Sequence, residues 1–308
     1  GKYKELTEDI PAASETANHT LALSLLSLRG RSYIKQEQYE QAQATFVKML
    51  ERASTEDERE SIELEIARTK IMEGDTKWLF SKNSPLKNEK VLAAIAQNAL
   101  SDEELVALLR VSPSADKRRF LAQELMLRYL LSRQFEKLDA LFKTEKKTDI
   151  PKIFAKIKST ISALAKNPKD ETALLEIATY EYQNFITPLH TFDDTYHTPY
   201  YDFSAYDQIK SWCTPCQKTE EKRASYEPPY TIFLKVADTL SAKKKSETEA
   251  QALHYIVTCF RGNSFQRQCK WNKTFENEGK RAFQRLHKIY PDSTWAKKTP
   301  YFYDDTIY

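Results

Sequence analysis

Glycine is scarce in this chain, which has five glycines among its 308 residues. The usual share is roughly 7%. No two of the five lie close together in the sequence, so the chain has neither a G-x-G-x-x-G dinucleotide-binding turn nor a P-loop. The scarcity also excludes the repeated tight glycine hairpins of a β-sandwich or a β-barrel. The sequence therefore predicts neither a nucleotide-binding α/β domain nor an all-β fold.

Long apolar runs and an excess of one charge are missing too. No stretch approaches the ~18–20 uncharged apolar residues of a membrane span, so we expect no membrane-spanning segment. Basic and acidic residues number 47 and 44 and are interspersed along the chain, which argues against nucleic acid as a partner. The catalytic strings H-E-x-x-H and G-x-S-x-G do not occur. We therefore expect a non-catalytic protein with no cofactor.

The residues that are present favour helices. The composition is rich in Ala, Leu, Glu, Gln, Lys and Arg, which lose the least side-chain freedom in a helix. From Leu21 onward, apolar residues recur at helical spacing in nearly every segment outside one long loop. Ser101, with Glu104 three residues later, is typical of a capping box and marks a helix start. The sequence therefore predicts an all-α protein.

The first pair of predicted helices has a specific pattern of small and aromatic residues. Gly30 and Tyr33 fall on the first helix, and Tyr39, Ala42 and Phe46 fall on the second. The small residues allow two antiparallel helices to approach closely, and the rings fill the wedge beside them. This pattern resembles a tetratricopeptide (TPR) repeat. The resemblance implies a TPR-like α-solenoid of helical hairpins whose concave wall binds a partner.

Later segments repeat the pattern with variation. Gly74 ends the first helix of a second pair, at an offset of about 37 residues, close to the ~34-residue period of the family. In a third pair, Tyr129 matches the aromatic residue of the first helix and Phe135 matches the aromatic residue of the turn. The resemblance thus extends over several helical hairpins of the chain.

Two features indicate export. The run from 290 to 296, Tyr-Pro-Asp-Ser-Thr-Trp-Ala, is similar to the repeat endings of TPR proteins of the bacterial cell envelope. Pro291 stops one helix there, and Ser293 caps the next. The chain also begins with Gly and has no signal peptide, which we interpret as the loss of a targeting segment. We therefore expect a periplasmic or outer-membrane-associated protein.

The predicted organisation has four parts. They are an N-terminal extension (1–17), TPR-like helical repeats (18–185), an aromatic, cysteine-containing loop (186–229) and C-terminal TPR-like helices (230–308).

The predicted loop is unusually long and aromatic. Loops beyond about 12–15 residues are usually functional or disordered, and the aromatic content argues against disorder. Two interpretations stay open: a lid whose rings pack on the helices, or a surface that binds a peptide or a sugar. The candidate binding residues are His190, Asp193, Asp194, His197, Tyr200, Tyr201 and Trp212.

Part of this loop has metal-ligand chemistry. His190, Asp194 and His197 would share one face of a helix, but Pro188 and Pro199 make a helix unfavourable there. We therefore predict no metal site.

The four cysteines fall into two close pairs. The string Trp212-Cys213-Thr214-Pro215-Cys216 resembles the W-C-x-P-C site of thioredoxin-like oxidoreductases, but the apolar strand of that fold is missing before it. We predict a Cys213–Cys216 disulfide that staples the loop and a Cys259–Cys269 disulfide, with zinc binding and thiol-redox activity as alternatives. Two local disulfides fit an oxidising compartment, in agreement with export.

The function that follows from these observations is recognition. In the first repeat, the resemblance places Arg31 and Lys35 on the concave wall, where they are candidate contacts to a partner. We expect a non-catalytic binding or scaffolding protein of the bacterial envelope that recognises a protein or a peptide, with a glycan as a further candidate ligand. The alternative is an envelope carbohydrate-binding protein or an enzyme with its site in residues 187–207.

Overall fold

The described part of the chain is almost entirely helical. The computed structural model describes residues 18–111, 115–145, 152–183, 213–226, 229–241, 245–261 and 273–302. About 80% of the structure is helix, and no strand occurs in these ranges. The predicted all-α class is therefore confirmed.

The helices of the described ranges are α1 (His19–Lys35), α2 (Tyr39–Arg52), α3 (Glu56–Glu73), α4 (Thr76–Leu79), α5 (Glu89–Asn98), α6 (Asp102–Val111), α7 (Ala115–Leu131), α8 (Phe135–Thr144), α9 (Lys152–Lys166), α10 (Glu171–Gln183), α11 (Thr214–Ala224), α12 (Pro229–Ser241), α13 (Glu247–Arg261), α14 (Lys273–Ile289) and α15 (Thr294–Lys297).

The described residues divide into two compact units. The first contains α1 to α6, the beginning of α7, Cys213, and residues 214–221 of α11. The second contains the remainder of α7, then α8 to α10, the end of α11, and α12 to α15.

The first unit begins with two tightly packed helices. Ala42 and Phe46 of α2 are fully buried, and the ring of Phe46 lies directly against the backbone of Gly30 in α1. A Cβ atom on Gly30 would overlap Cζ of that ring. A side chain at position 30 would therefore force the ring of the buried Phe46 to shift, and glycine allows α1 to pack closely on α2, as the sequence pattern indicates.

Three helices end in the same kind of turn. Glu37 after α1, Gly74 after α3 and Arg133 after α7 have φ angles of 59°, 83° and 60°. In each turn, the next backbone N–H donates to a carbonyl five residues earlier; the pairs are Gln38 to Tyr33 (2.9 Å), Asp75 to Lys70 (2.9 Å) and Gln134 to Tyr129 (2.8 Å). This is the Schellman motif, which satisfies carbonyl groups that the end of a helix leaves unpaired.

Polar side chains fix several helix starts. The Ser101 hydroxyl accepts from the Glu104 N–H (3.2 Å), and the Glu104 carboxylate accepts from the Ser101 N–H (2.8 Å), which is the predicted capping box. The Ser293 hydroxyl accepts from the N–H of Ala296 at 3.1 Å, so the predicted cap of α15 is present as well. Both caps satisfy donor groups that a helix start leaves free.

Two buried charges hold a loop of the first unit. The Glu63 carboxylate in α3 accepts the N–H groups of Lys87 (3.0 Å) and Asn88 (2.8 Å), just before α5. Lys117 donates its Nζ to the carbonyls of Leu79 (3.3 Å) and Ser81 (3.0 Å). Burial raises the pKa of Glu63, and the two backbone donors reduce this shift. Burial lowers the pKa of Lys117, and the negative charge of Glu63 reduces that shift. Both side chains form hydrogen bonds to the backbone of residues 79–88.

The second unit contains a comparable buried pair. Arg133, the residue with positive φ before α8, donates Nη2 to Oε2 of Glu181 in α10 at 2.8 Å, and Nη1 contacts the other carboxylate oxygen. Glu181 is fully buried. Burial raises the pKa of Glu181, and the Arg133 guanidinium opposes this shift. This paired contact fixes the turn between α7 and α8 against α10.

The C-terminal segment docks on the second unit through two histidines. The Thr299 hydroxyl donates to the Trp295 carbonyl (2.6 Å), so it accepts from Nδ1 of His254, 2.7 Å away. Nε2 of His287 lies 2.7 Å from the Thr299 carbonyl. Thr299 is therefore bound by side chains of both α13 and α14.

Part of the predicted long loop is helical. Helix α11 runs from Thr214 to Ala224. Pro215 is compatible with the first turn of a helix, because a backbone N–H at that position would have no acceptor within the helix. The next residues, Gln217 to Lys222, include the good helix formers Gln, Lys and Glu.

Substitution of Gly30 tests the close approach of α1 and α2. Gly→Ala in a helix interior ordinarily stabilises by about 0.5–1 kcal/mol. Here the added methyl overlaps the Phe46 ring, so Gly30→Ala should destabilise by about 1–3 kcal/mol, measured by urea unfolding followed by circular dichroism. The same substitution in a Phe46→Leu background should cost less, because the smaller side chain leaves room. Stabilisation by Gly30→Ala alone would show that the helices do not touch at this point.

Candidate functional site

Of the predicted binding residues, Arg31 and Lys35 lie in the described part of the chain, on α1. The candidates His190, Asp193, Asp194, His197, Tyr200, Tyr201 and Trp212 lie outside the described residues. The alternative site in 187–207 also lies outside them.

Arg31 and Lys35 belong to one exposed stripe of α1. Leu21, Ser24 and Leu28 complete the stripe, and the five residues follow one another at intervals of three and four. At 3.6 residues per turn, they fall within an arc of about 80°. All five are exposed, including Leu21 at 50% and Leu28 at 51%. Two large aliphatic side chains thus face solvent beside two cations.

Helix α3 runs beside α1 in the same direction. His19 near the start of α1 lies 3.0 Å from the Glu58 carboxylate near the start of α3. Farther along, Nε of Arg31 donates to Oε1 of Glu65 at 2.7 Å. The second pair lies farther from the start of both helices than the first pair, so α1 and α3 are parallel. Helix α2 packs against each of them.

One side of α3 extends the stripe of α1; Ser61 and Met72 are exposed there, and Glu65 and Arg68 are partly buried. Ser61, Glu65, Arg68 and Met72 follow one another at intervals of four and three, within an arc of about 60°. Met72 is 40% exposed. Since Glu65 contacts Arg31, the two stripes meet and form one surface. We call it the α1–α3 face; its residues are Leu21, Ser24, Leu28, Arg31 and Lys35 of α1 with Ser61, Glu65, Arg68 and Met72 of α3.

The α1–α3 face has an excess of positive charge. It contains three cations, Arg31, Lys35 and Arg68, and one carboxylate, Glu65. The carboxylate is shared, because Nη1 of Arg68 lies 3.7 Å from its second oxygen. The Arg31 side chain is 57% exposed, whereas the Glu65 side chain is 13% exposed, so water screens the pair from the side of Arg31. The guanidinium of Arg31 is therefore open to a carboxylate of a partner, and Arg68 stays beside Glu65.

The start of α1, next to this face, is fixed by a separate polar cluster around Glu58. Glu58 completes a capping box with Thr55, and its carboxylate accepts from the N–H and the hydroxyl of Ser54 at 2.7 and 2.9 Å. These hydrogen bonds, with the weaker contribution of His19, lower the pKa of Glu58 to about 2. Glu58 stays ionised at neutral pH and anchors the start of α3 beside α1.

Sequence reasoning missed the apolar part of this face. Periodicity assigns Leu21 and Leu28 to a helix, but a leucine in a helix is expected to be buried. The exposed side of α1 becomes visible only when the neighbours of the helix are known. Met72 on α3 was missed for the same reason.

The Cys213–Cys216 disulfide is present. The sulfurs are 1.98 Å apart, Cys213 immediately precedes α11, and the N–H of Cys216 donates to the Cys213 carbonyl at 3.1 Å. The two residues are 1% and 4% exposed, so no sulfur is open to a substrate, and the bond staples the start of α11. Cys259 also takes part in a disulfide; its predicted partner, Cys269, lies outside the described residues.

The described residues offer no cluster of three or more His, Cys, Asp or Glu side chains that could hold a metal ion. In the same ranges, no helix combines the length and the apolar character needed to cross a membrane.

Comparison with known proteins found no match: the chain fits no family model, and neither curated proteins nor solved structures gave a significant similarity.

The oxidation state of the stapled cysteines is directly testable. In protein isolated without reductant, Cys213 and Cys216 should resist alkylation by iodoacetamide under denaturing conditions, as read by peptide mass spectrometry. The Cys213→Ser/Cys216→Ser variant should lose no more than about 2 kcal/mol of stability, because a disulfide closing so short a loop removes little chain entropy. Alkylation of both sulfurs in the untreated protein would contradict the staple.

Proposed function

We propose that this chain is a TPR-like helical-repeat protein that binds a protein or peptide partner through the α1–α3 face, and that it does so in the bacterial cell envelope. The single observation that carries the proposal is the face itself. Two parallel neighbouring helices present aliphatic and basic side chains to solvent together, whereas exposed large aliphatic residues are otherwise scattered on a protein surface.

The repeat arrangement is supported by the geometry of the first unit. In a TPR array, the first helices of successive repeats run parallel and line the concave wall, with the second helices behind them. The parallel pair α1 and α3, with α2 packed against both, fits this scheme. The equivalent turns that end α1 and α3, at Glu37 and Gly74, are about 37 residues apart, close to the ~34-residue period of the family.

The repeated turns give independent support. The Schellman turns after α1 and α7 are followed by an aromatic residue at the start of the next helix, Tyr39 and Phe135. In each of these turns, the backbone hydrogen bond is accepted by the carbonyl of the aromatic residue of the preceding helix, Tyr33 in the first and Tyr129 in the second. The residues that the sequence pattern pairs across the two repeats therefore occupy the same positions in the same turn.

Location in the envelope is supported by the disulfide and by the closing run. Disulfides persist mainly in oxidising compartments, and Cys213–Cys216 is one. In the closing run, Tyr290 is buried and its hydroxyl accepts from the N–H of Ser246 at 3.1 Å while contacting the Glu249 carboxylate. Ser293 then caps α15, as in the envelope repeats that this run resembles.

Site-specific photo-crosslinking in the native cells tests partner binding. The photoreactive residue p-benzoylphenylalanine replaces Ser24, which is exposed in the middle of the α1–α3 face. Irradiation should produce an adduct of higher mass, whose partner is identified by mass spectrometry. The matched control carries the same residue at Gln41, exposed on α2, and should give no adduct.

An adduct that forms equally from positions 24 and 41 would show that the contact is not specific to this face. The absence of any adduct from position 24 would contradict partner binding there.

A further inference from the structure

We infer that the segment bound by the α1–α3 face is an acidic amphipathic helix of a partner protein. This inference rests on the proposed function and specifies the chemistry of the partner. Three properties of the face carry it: the spacing of its aliphatic side chains, the balance of its charges, and a carboxylate that competes for one of its cations.

The spacing of the aliphatic residues fits a helix. Leu21 and Leu28 are seven residues apart, which is two helical turns or about 10.5 Å along α1. Residues at alternating intervals of three and four form the stripe that a second helix packs against, because its own apolar residues recur at the same spacing. An extended strand repeats its side chains at about 6.6 Å on one face and would not place them against both leucines. The occupant is therefore helical, with apolar residues at i, i+3 or i+4, and i+7.

The charges select acidic residues on that helix. Lys35 and Arg31 follow Leu28 along α1, and Arg68 lies on α3 close to the Glu65 carboxylate. Along α1, the face thus changes from apolar side chains at Leu21 and Leu28 to basic side chains at Arg31 and Lys35. A complementary helix carries its carboxylates one to two turns beyond its apolar residues. Such complementarity orients the bound segment and discriminates against basic segments.

The ion pair within the face is a competitor for the partner. Glu65 occupies Arg31 in the free protein, and a carboxylate of the partner replaces it on binding. Glu65 keeps a cation beside it after this exchange, because Nη1 of Arg68 lies 3.7 Å from its second oxygen. Removing Glu65 should therefore strengthen the binding of an acidic helix, whereas it should weaken the binding of a basic one.

The same features favour a peptide over a lipid surface. Membrane-binding helices carry Trp, Phe or Leu on one side and Lys and Arg on the other. Here the leucines and the cations follow one another on the same stripe of α1, and a carboxylate, Glu65, lies among the cations. The experiment below includes anionic vesicles for this reason.

The test starts with selection from a phage-displayed library of random peptides of about 16 residues, long enough for four helical turns, against the 308-residue chain. The enriched peptides should carry more Asp and Glu than Lys and Arg, with Leu, Ile or Phe at helical spacing. Fluorescence anisotropy then measures the affinity of the best peptide for the chain and its variants, and circular dichroism verifies that each variant is folded.

Four variants give the expected pattern. Arg31→Glu/Lys35→Glu and Leu28→Asp should each weaken binding by about tenfold or more, since charge complementarity and an apolar contact are lost. Glu65→Gln should tighten it by about threefold, because the competing carboxylate is gone. The matched control is Lys48→Glu, a charge reversal at an exposed residue of α2, which should leave the affinity within about twofold.

Other outcomes overturn different parts of the account. If the enriched peptides are neutral or basic, or if Glu65→Gln weakens binding, the inferred chemistry is wrong while a binding face at α1–α3 stands. If no peptide is enriched, or if Lys48→Glu weakens binding as much as Arg31→Glu/Lys35→Glu, the proposed function fails as well. If no peptide binds and the chain sediments with vesicles containing phosphatidylglycerol, the face binds a lipid surface rather than a peptide.

Discussion

The close contact between Gly30 and the ring of Phe46 is the constraint on which the first unit depends. A helix pair normally keeps its axes about 8–10 Å apart because side chains separate them, and a glycine opposite a phenylalanine removes the obstacle on one side. Once α1 lies close against α2, the next hairpin brings α3 alongside α1 in a parallel orientation. The exposed sides of α1 and α3 then form one face, and Arg31 comes within hydrogen-bond distance of Glu65.

Buried charges stabilise the turns of this helical framework in both units. Glu63 and Lys117 act on the backbone of residues 79–88 in the first unit, and Arg133 with Glu181 fixes a turn of the second. A buried charge is costly unless hydrogen bonds satisfy it, so each such residue specifies one arrangement of its loop. The pair of Arg31 and Glu65 differs in this respect: Glu65 is 13% exposed, but Arg31 is 57% exposed, which leaves its guanidinium available for recognition.

Much of the helical framework was predictable, because local rules govern it. The close approach at Gly30, the caps at Ser101 and Ser293, and the Cys213–Cys216 disulfide all follow from residue types at short spacing. What escaped prediction depends on distant neighbours. Charged residues in helices are usually solvated, so the burial of Glu63 and Glu181 gave no signal in the sequence. Arg31 and Lys35 were predicted from the TPR resemblance, but the exposed leucines beside them required knowing what packs on α1.

Methionine methyl signals provide the most direct measurement of whether the α1–α3 face binds a partner segment. The chain has three methionines: Met72 is exposed on the face, and Met49 and Met126 are buried elsewhere. In protein carrying ¹³C-labelled methionine methyl groups, assigned by single Met→Leu variants, titration with the selected acidic peptide should shift the Met72 signal in proportion to binding. The Met49 and Met126 signals should stay in place. Saturation of the protein with peptide while the Met72 signal stays unchanged would contradict the account, because the peptide would then lie on another surface.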